Sequence, residues 1–310
     1  MKNTVSRRDL LKFTGLSALA AMLPFHPILS MQDKTMLKRR ILSSATETLP
    51  VVGLGTWIQF DVGDSETDRQ PLREVLQHMV EQGGTLIDSS PMYGKAETVV
   101  GDLTAETGLA EKFFYATKVW TNGEQNGIAQ MQSSLHKMRR TKMDLMQIHN
   151  LLDWEIHLKT LRKWKEEGKV RYIGITHYTV GSHEQLEKII RSEKIDFVQF
   201  NYSIRVRNAE NSLLRAAQDN GVSVIINEPF EKGSLFNAVK DKPLPEWAAD
   251  YDIGTWSQFF LKYILAHPAV TCVIPGTSNP VHLVDNMGAG FGRLPDEAGK
   301  KKMIALVEKL

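Results

Sequence analysis

The sequence holds a single cysteine, Cys272, in 310 residues. That excludes an intrachain disulfide framework and any cysteine-rich zinc site. It has little excess of charge of either sign. Its 38 Lys and Arg against 36 Asp and Glu leave +2, so no nucleic-acid partner is expected. No apolar run reaches the roughly 18 residues of a membrane-spanning helix. No linker rich in Gly, Ser or Pro divides the chain, and no internal repeat shows. Several signatures are also missing. Gly53-Leu54-Gly55-Thr56-Trp57-Ile58 lacks the third glycine of a dinucleotide fingerprint. There is no Walker A pattern, no zinc-protease helix after His183-Glu184, and no serine in a nucleophile elbow. With 42% hydrophobic and 24% charged residues, the composition is ordinary for a globular protein.

Residues 1–30 stand apart. Ser6-Arg7-Arg8-Asp9-Leu10-Leu11-Lys12 sets two arginines before an apolar pair and a lysine. Phe13–Leu23 is a largely apolar stretch of signal-peptide length, stopped by Pro24 and Pro27. The pattern is that of a twin-arginine (Tat) export signal, which predicts delivery of a folded protein to the periplasm by the Tat machinery. Ala18-Leu19-Ala20 fits the small-x-small cleavage rule but sits early, so retention as a membrane tether stays open. Lys2, Arg7, Arg8 and Lys12 against Asp9 place the basic character here, and without this segment the net charge passes from +2 to −1. The expected organisation is a signal segment, 1–30, and one globular domain, 31–310.

From about residue 50, short apolar runs alternate with longer amphipathic stretches. Strands are expected at 53–55, 85–88, 113–118, 145–149, 170–176, 197–200, 222–226 and 270–274. Helices are expected at 72–82, 95–106, 125–139, 155–167, 181–192, 209–220, 254–266 and 280–287. Such alternation implies a parallel sheet. Eight units of similar size favour a closed (β/α)₈ TIM barrel, with residues 231–252 as its longest irregular stretch.

In a barrel, chemistry gathers where strands end. Asp88 ends the second expected strand, and Tyr93 follows five residues later. Lys118 ends the third strand and His149 the fourth. Adjacent strands lie about 4.8 Å apart, so these ends can converge. A phenol is a weak acid, and an ammonium beside it favours its ionised form. Lys118 can supply that charge, Asp88 can hold the lysine, and His149 can hydrogen-bond the same substrate oxygen. The quartet thus makes a proton donor for a carbonyl. Hydride must come from a cofactor, because no side chain supplies one.

These residues and seven stretches resemble the aldo-keto reductase family. The stretches are Gly53–Trp57, Asp88–Gly94, Ala116–Lys118, Gln147–His149, Gly168–Gly174, Val198–Asn201 and Ile274–Thr277. The resemblance spans about residues 50–290. It implies a (β/α)₈ barrel that reduces small aldehydes or ketones with NADPH, and a catalytic tetrad of Asp88, Tyr93, Lys118 and His149. It also implies cofactor contacts from Thr56, Trp57, Thr176, His177, Gln199, Pro229 and Phe230. Gly233 and Leu235 belong to a loop over the pyrophosphate, in which Lys232 could meet a phosphate. Gly276, Thr277, Ser278, His282 and Asn286 belong to the phosphate end, where backbone N–H groups at a helix start suit an anion.

The chain departs from the family at several of these places. Thr176-His177 stands where a Ser-Asn pair is usual, and Asn227 where a tyrosine stacks on the nicotinamide. Gly276 and His282 replace a Lys and an Arg, which leaves NADH open beside NADPH. Two other uses of the site remain at this stage. One is a catalytically slow barrel that senses nicotinamide redox state. The other is an aldolase-type barrel with Lys118 as the Schiff-base amine. Family members are often monomers, and nothing in the sequence argues for more.

Overall fold

A short antiparallel hairpin, β1 (Lys38–Arg40) and β2 (Thr48–Pro50), precedes eight parallel strands. These are β3 (Leu54–Gly55), β4 (Leu86–Asp88), β5 (Phe114–Val119), β6 (Met143–His149), β7 (Val170–Thr176), β8 (Phe197–Asn201), β9 (Ser223–Asn227) and β10 (Val270–Val273). Each pairs with its sequence neighbour, and bridges Val52–Val273 and Gly55–Gly276 join first to last. The seam is hydrogen-bonded, with Gly53 N donating to Val273 O at 2.9 Å and Val273 N to Val51 O at 2.9 Å. The result is the expected (β/α)₈ barrel. The computed structural model describes residues 35–310, so the export-signal expectation lies outside the described residues.

The expected strands are all present, with ends within two residues of the reading from sequence. The outer helices are α1 (Glu66–Glu81), α2 (Ala96–Glu106), α3 (Glu124–Lys137), α4 (Trp154–Glu166), α5 (His183–Ser192), α6 (Leu213–Asp219), α7 (Ser234–Ala238), α8 (Trp256–Leu265), α9 (Pro280–Gly288) and α10 (Glu297–Val307). Helix α1 starts six residues earlier than expected and runs through Pro71. Pro71, the sixth residue, forfeits one backbone bond in the second turn, while Glu66 and Asp68 favour the positive end of the helix dipole. The hairpin, α7 and α10 were not anticipated. Residues 231–252 are therefore less irregular than expected, holding α7 and a 3-10 turn at Glu246–Tyr251.

Every second residue of each strand faces the barrel interior. Toward the strand starts that interior is apolar. Leu86, Phe114, Leu145, Tyr172, Phe197, Ile225 and Cys272 cluster there with Ile41 and Leu49 from the hairpin region. The hairpin lies across this end, where Leu42 N donates to Ser223 Oγ at 2.8 Å and Glu47 pairs with Arg171. Two residues further along the same strands the interior turns polar. Leu86 gives way to Asp88, Ala116 to Lys118, Leu145 to Gln147 and Phe197 to Gln199.

Candidate active site

A cleft of about 770 Å³ opens at the C-terminal ends of the strands. Asp88, Tyr93, His149, Thr176, Gln199 and Asn227 line it, at the ends of β4, β6, β7, β8 and β9 or just beyond. Lys118 lies beneath this surface and is fully buried. Its ammonium donates to Asp88 Oδ2 at 2.6 Å and to Ser89 O at 2.7 Å, and lies 4.9 Å from the centre of the Tyr93 ring. Burial alone would favour a neutral amine, but Asp88 and the Tyr93 oxygen outweigh it and raise the lysine's pKa. Lys118 is therefore an ammonium.

Asp88 is the hub. Besides the lysine on Oδ2, its Oδ1 accepts from Gln147 Nε2 at 3.0 Å and Gln199 Nε2 at 2.9 Å. Gln147 was not singled out as a site residue from sequence. Its signal was the strand period, since it points inward between Leu145 and His149.

Tyr93 is half-buried and meets the His149 ring edge-on, with centroids 5.8 Å apart. Burial raises its pKa, Lys118 pulls it down, and Asp88 pushes it up again, for a net rise. The neighbouring ammonium alone predicts a net fall, but the loss of water and the carboxylate that offsets that ammonium reverse it. Tyr93 is accordingly a protonated phenol, with Lys118 placed to stabilise the oxyanion left when the proton departs.

Burial, then Lys118, then His177, lower the pKa of His149 to about 2. It is neutral and does not titrate near pH 7, contrary to the ordinary value for an imidazole. Ser90 Oγ lies 2.9 Å from His149 Nδ1. A proton donated by that hydroxyl leaves the N–H on Nε2, a neutral donor.

A sequence profile described as the Aldo/keto reductase family matches residues 51–301. The chain belongs to the aldo/keto reductase family. Among curated proteins it is 29% identical over 259 residues to "Methylglyoxal reductase YeaE" of Escherichia coli, covering 81% of this chain and 89% of that one. It is 25% identical over 262 residues to the "NADH-specific methylglyoxal reductase" of Escherichia coli, covering 74% and 78%. Among solved structures, an aldo-keto reductase from Klebsiella pneumoniae in complex with NADPH superposes with TM-score 0.74 at 22% identity, covering 88% of this chain and 96% of that one.

The residues expected to hold a cofactor in this aldo/keto reductase fall into two groups. Thr56, Trp57, Thr176, Gln199, Pro229, Phe230, Gly233 and Gly276 line the cleft. Its floor is tight where Gly55 and Gly276 meet, because a Cβ on Gly276 would lie 3.1 Å from Gly55 O. The others have different surroundings. His177 Nδ1 accepts from the Tyr178 and Thr179 amides at 3.0 and 3.2 Å, capping its own loop. Leu235 is buried in the core. Thr277 Oγ1 accepts from Asn279 N at 3.0 Å, and Ser278 Oγ donates to Gln59 Oε1 at 3.1 Å. His282 is exposed on α9, while Asn286 is buried against Ser257. Lys232 also lines the cleft, 3.4 Å from Glu228 Oε1 and 5.8 and 5.5 Å from the Trp57 and Tyr178 ring centres.

Polar groups in the cleft fit a nicotinamide. Asn150 Oδ1 and Asn227 Oδ1 are enclosed and have no hydrogen-bond partner among the described residues. Both residues line the cleft. An enclosed acceptor without a partner costs stability until a donor arrives. The cleft also carries an apolar rim. Of the eleven exposed large hydrophobic residues among the described residues, six line this one cleft: Trp57, Ile58, Met92, Trp120, Tyr178 and Phe236.

Proposed function

We propose that this chain reduces aldehydes or ketones with NADPH, with Tyr93 as the general acid. The observation that carries the reading is the fully buried Lys118–Asp88 pair, 2.6 Å apart beneath the Tyr93 ring. When bound, the cofactor supplies the hydride that the carbonyl carbon accepts. Tyr93 gives its proton to the carbonyl oxygen. Lys118 stabilises the phenolate that results, Asp88 keeps Lys118 charged and in place, and His149 donates to the same oxygen. Thr56, Trp57, Thr176, Gln199, Asn227, Pro229 and Phe230 are the residues to hold the nicotinamide end. Gly276, Thr277, Ser278 and the start of α9 are those to hold the phosphates.

The apolar rim suits a carbonyl compound with an apolar body, since exposed apolar groups gathered at one place mark a binding surface. Methylglyoxal, named for the two similar Escherichia coli proteins, is the small polar comparison. NADPH and NADH oxidation with a panel from methylglyoxal to aromatic aldehydes tests the reading. Turnover with NADPH supports it, and no turnover with any carbonyl defeats it. A second reading, a slow nucleotide-binding redox sensor, is favoured by Asn227 standing where the family stacks a ring. It predicts cofactor binding without turnover.

We also propose that the protein is exported folded by the Tat pathway, on the strength of Arg7-Arg8 and the apolar stretch after them. Replacing both arginines by lysine should hold it in the cytoplasm. Normal arrival in the periplasm would refute this.

A further inference from the structure

We infer that Asn227, through its side-chain oxygen, receives the carboxamide NH₂ of the nicotinamide ring and so sets which ring analogues the cleft accepts. This rests on the cofactor reading above. Hydride transfer requires the donor ring within about 3–3.5 Å of a carbonyl carbon whose oxygen faces Tyr93 and His149. The ring's carboxamide then needs polar partners at the cleft surface. On the apolar side Ile58 offers none, and Trp57 and Trp120 offer only indole N–H donors, which cannot receive an NH₂. The polar side includes Thr176, Gln199 and Asn227, at the ends of β7, β8 and β9, with Asn150 just beyond β6.

The amide orientations there follow from Asp88. A carboxylate only accepts, so Gln147 and Gln199 must turn their NH₂ groups to Asp88 Oδ1. The second N–H of Gln199 faces Gln147 Oε1 at 3.4 Å. Gln199 Oε1 then accepts from Thr176 Oγ1 at 3.1 Å and Asn227 Nδ2 at 3.3 Å. Every donor and acceptor position of Gln199 is thereby used within the protein. Asn227 spends its NH₂ on Gln199 Oε1 and, at 3.5 Å, on His177 O. What it has left is Oδ1, which is enclosed and without a partner among the described residues. An acceptor fixed in this way complements an NH₂ donor. His177 Nδ1 accepts from its own loop, which leaves Nε2–H, a donor that cannot receive an NH₂. The tetrad carboxylate thus orients, through Gln199, the atom that reads the cofactor.

The test is equilibrium binding to the full chain, followed by calorimetry. The probes are NADP⁺ and its 3-acetylpyridine analogue, in which a methyl group replaces the carboxamide NH₂. Wild type should bind NADP⁺ about tenfold more tightly than the analogue, the usual effect of leaving one enclosed acceptor unsatisfied. Asn227→Leu should bind the two alike. Discrimination that persists in Asn227→Leu overturns the inference and leaves the cofactor reading intact. Equal binding by wild type overturns it whether or not the variant folds. Failure of wild type to bind NADP⁺, NADPH or NADH removes the cofactor reading and the inference with it.

Discussion

The two ends of the barrel interior are made by the same strands, two residues apart, and they do opposite things. Near the strand starts, Leu145 and Phe197 pack with Phe114 and Tyr172 under the hairpin. One strand step later, Gln147 and Gln199 hydrogen-bond Asp88, and Lys118 pairs with it. Backbone pairing is equally regular across both levels. The apolar end gains from removing hydrocarbon from water. The polar end removes two charges from water, a cost that the ion pair and the amide bonds around it offset only in part. One end of the interior therefore stabilises the barrel, and the other holds charge in position for chemistry.

The largest effect should come from an atom that serves only the second role. Tyr93→Phe keeps the ring and its contact with His149 but removes the proton. General acid catalysis typically contributes about 10²–10⁴ in rate. We expect kcat to fall by at least that lower bound, about 10², with cofactor affinity and thermal stability unchanged. If the variant keeps more than about a tenth of wild-type kcat, against that expected loss, the acid lies elsewhere.

A matched pair of changes sharpens the contrast between the ends. Phe197→Ala should cost about 3–5 kcal/mol as a core truncation. Lys118→Met should cost about 3–5 kcal/mol by leaving Asp88 buried without its counter-charge. Two further measurements separate them. Activity per folded molecule should survive in Phe197→Ala and be lost in Lys118→Met. Adding Asp88→Asn to Lys118→Met should restore part of the stability and none of the activity. Urea titrations in which the double variant is as unstable as the single would remove charge burial as the cause.

How far each end was legible in the sequence follows the same division. Strand order, the three polar strand ends and Tyr93 just beyond one of them were readable, because period-2 alternation and placement at a strand's end are local signals. The environment of those groups was not. The phenol's rise in pKa depends on burial and on Asp88 across the barrel, and the neutral state of His149 on enclosure and on Lys118. The closing hairpin was missed because β1 and β2 have three residues each, too few for a periodicity to show. At His177 the sequence shows a position in the chain but not the local contact that its Nδ1 makes with the Tyr178 and Thr179 amides.

A smaller effect should appear in the pH dependence. His149 is held at about 2 in the folded chain, against roughly 6.5 when unfolded. Below that ordinary value the unfolded chain binds a proton that the folded chain refuses. The contribution of this site is therefore complete above about pH 6.5 and is lost as the pH falls toward the folded value. In wild type the unfolding free energy should drop between pH 6.5 and 4 more steeply than in His149→Gln, by up to about one proton. The kcat profile should lack a His149 limb near neutrality. A limb near pH 6.5 that disappears in His149→Gln would show that the imidazole titrates.

The smallest expected effect concerns the cleft rim, where the apolar Ile58 is exposed instead of packed. Ile58 is 60% exposed and sits at φ 63°, the left-handed region that a β-branched side chain avoids. That conformation costs a non-glycine residue about 1–2 kcal/mol. Glycine would remove this cost but add about 0.4–1 kcal/mol of unfolded-chain entropy, and little burial is at stake at so exposed a position. Ile58→Gly should therefore be neutral or stabilising by up to about 1.6 kcal/mol, the difference between those two terms. If Ile58 forms part of the substrate wall, kcat/KM for an aromatic aldehyde should fall about fourfold relative to methylglyoxal, the equivalent of roughly one methylene kept from water. A loss of stability above about 1 kcal/mol, where surface changes usually stay within ±0.5, would make Ile58 a packing residue. An unchanged ratio would take it out of the wall, and the strain at its backbone would need another cause.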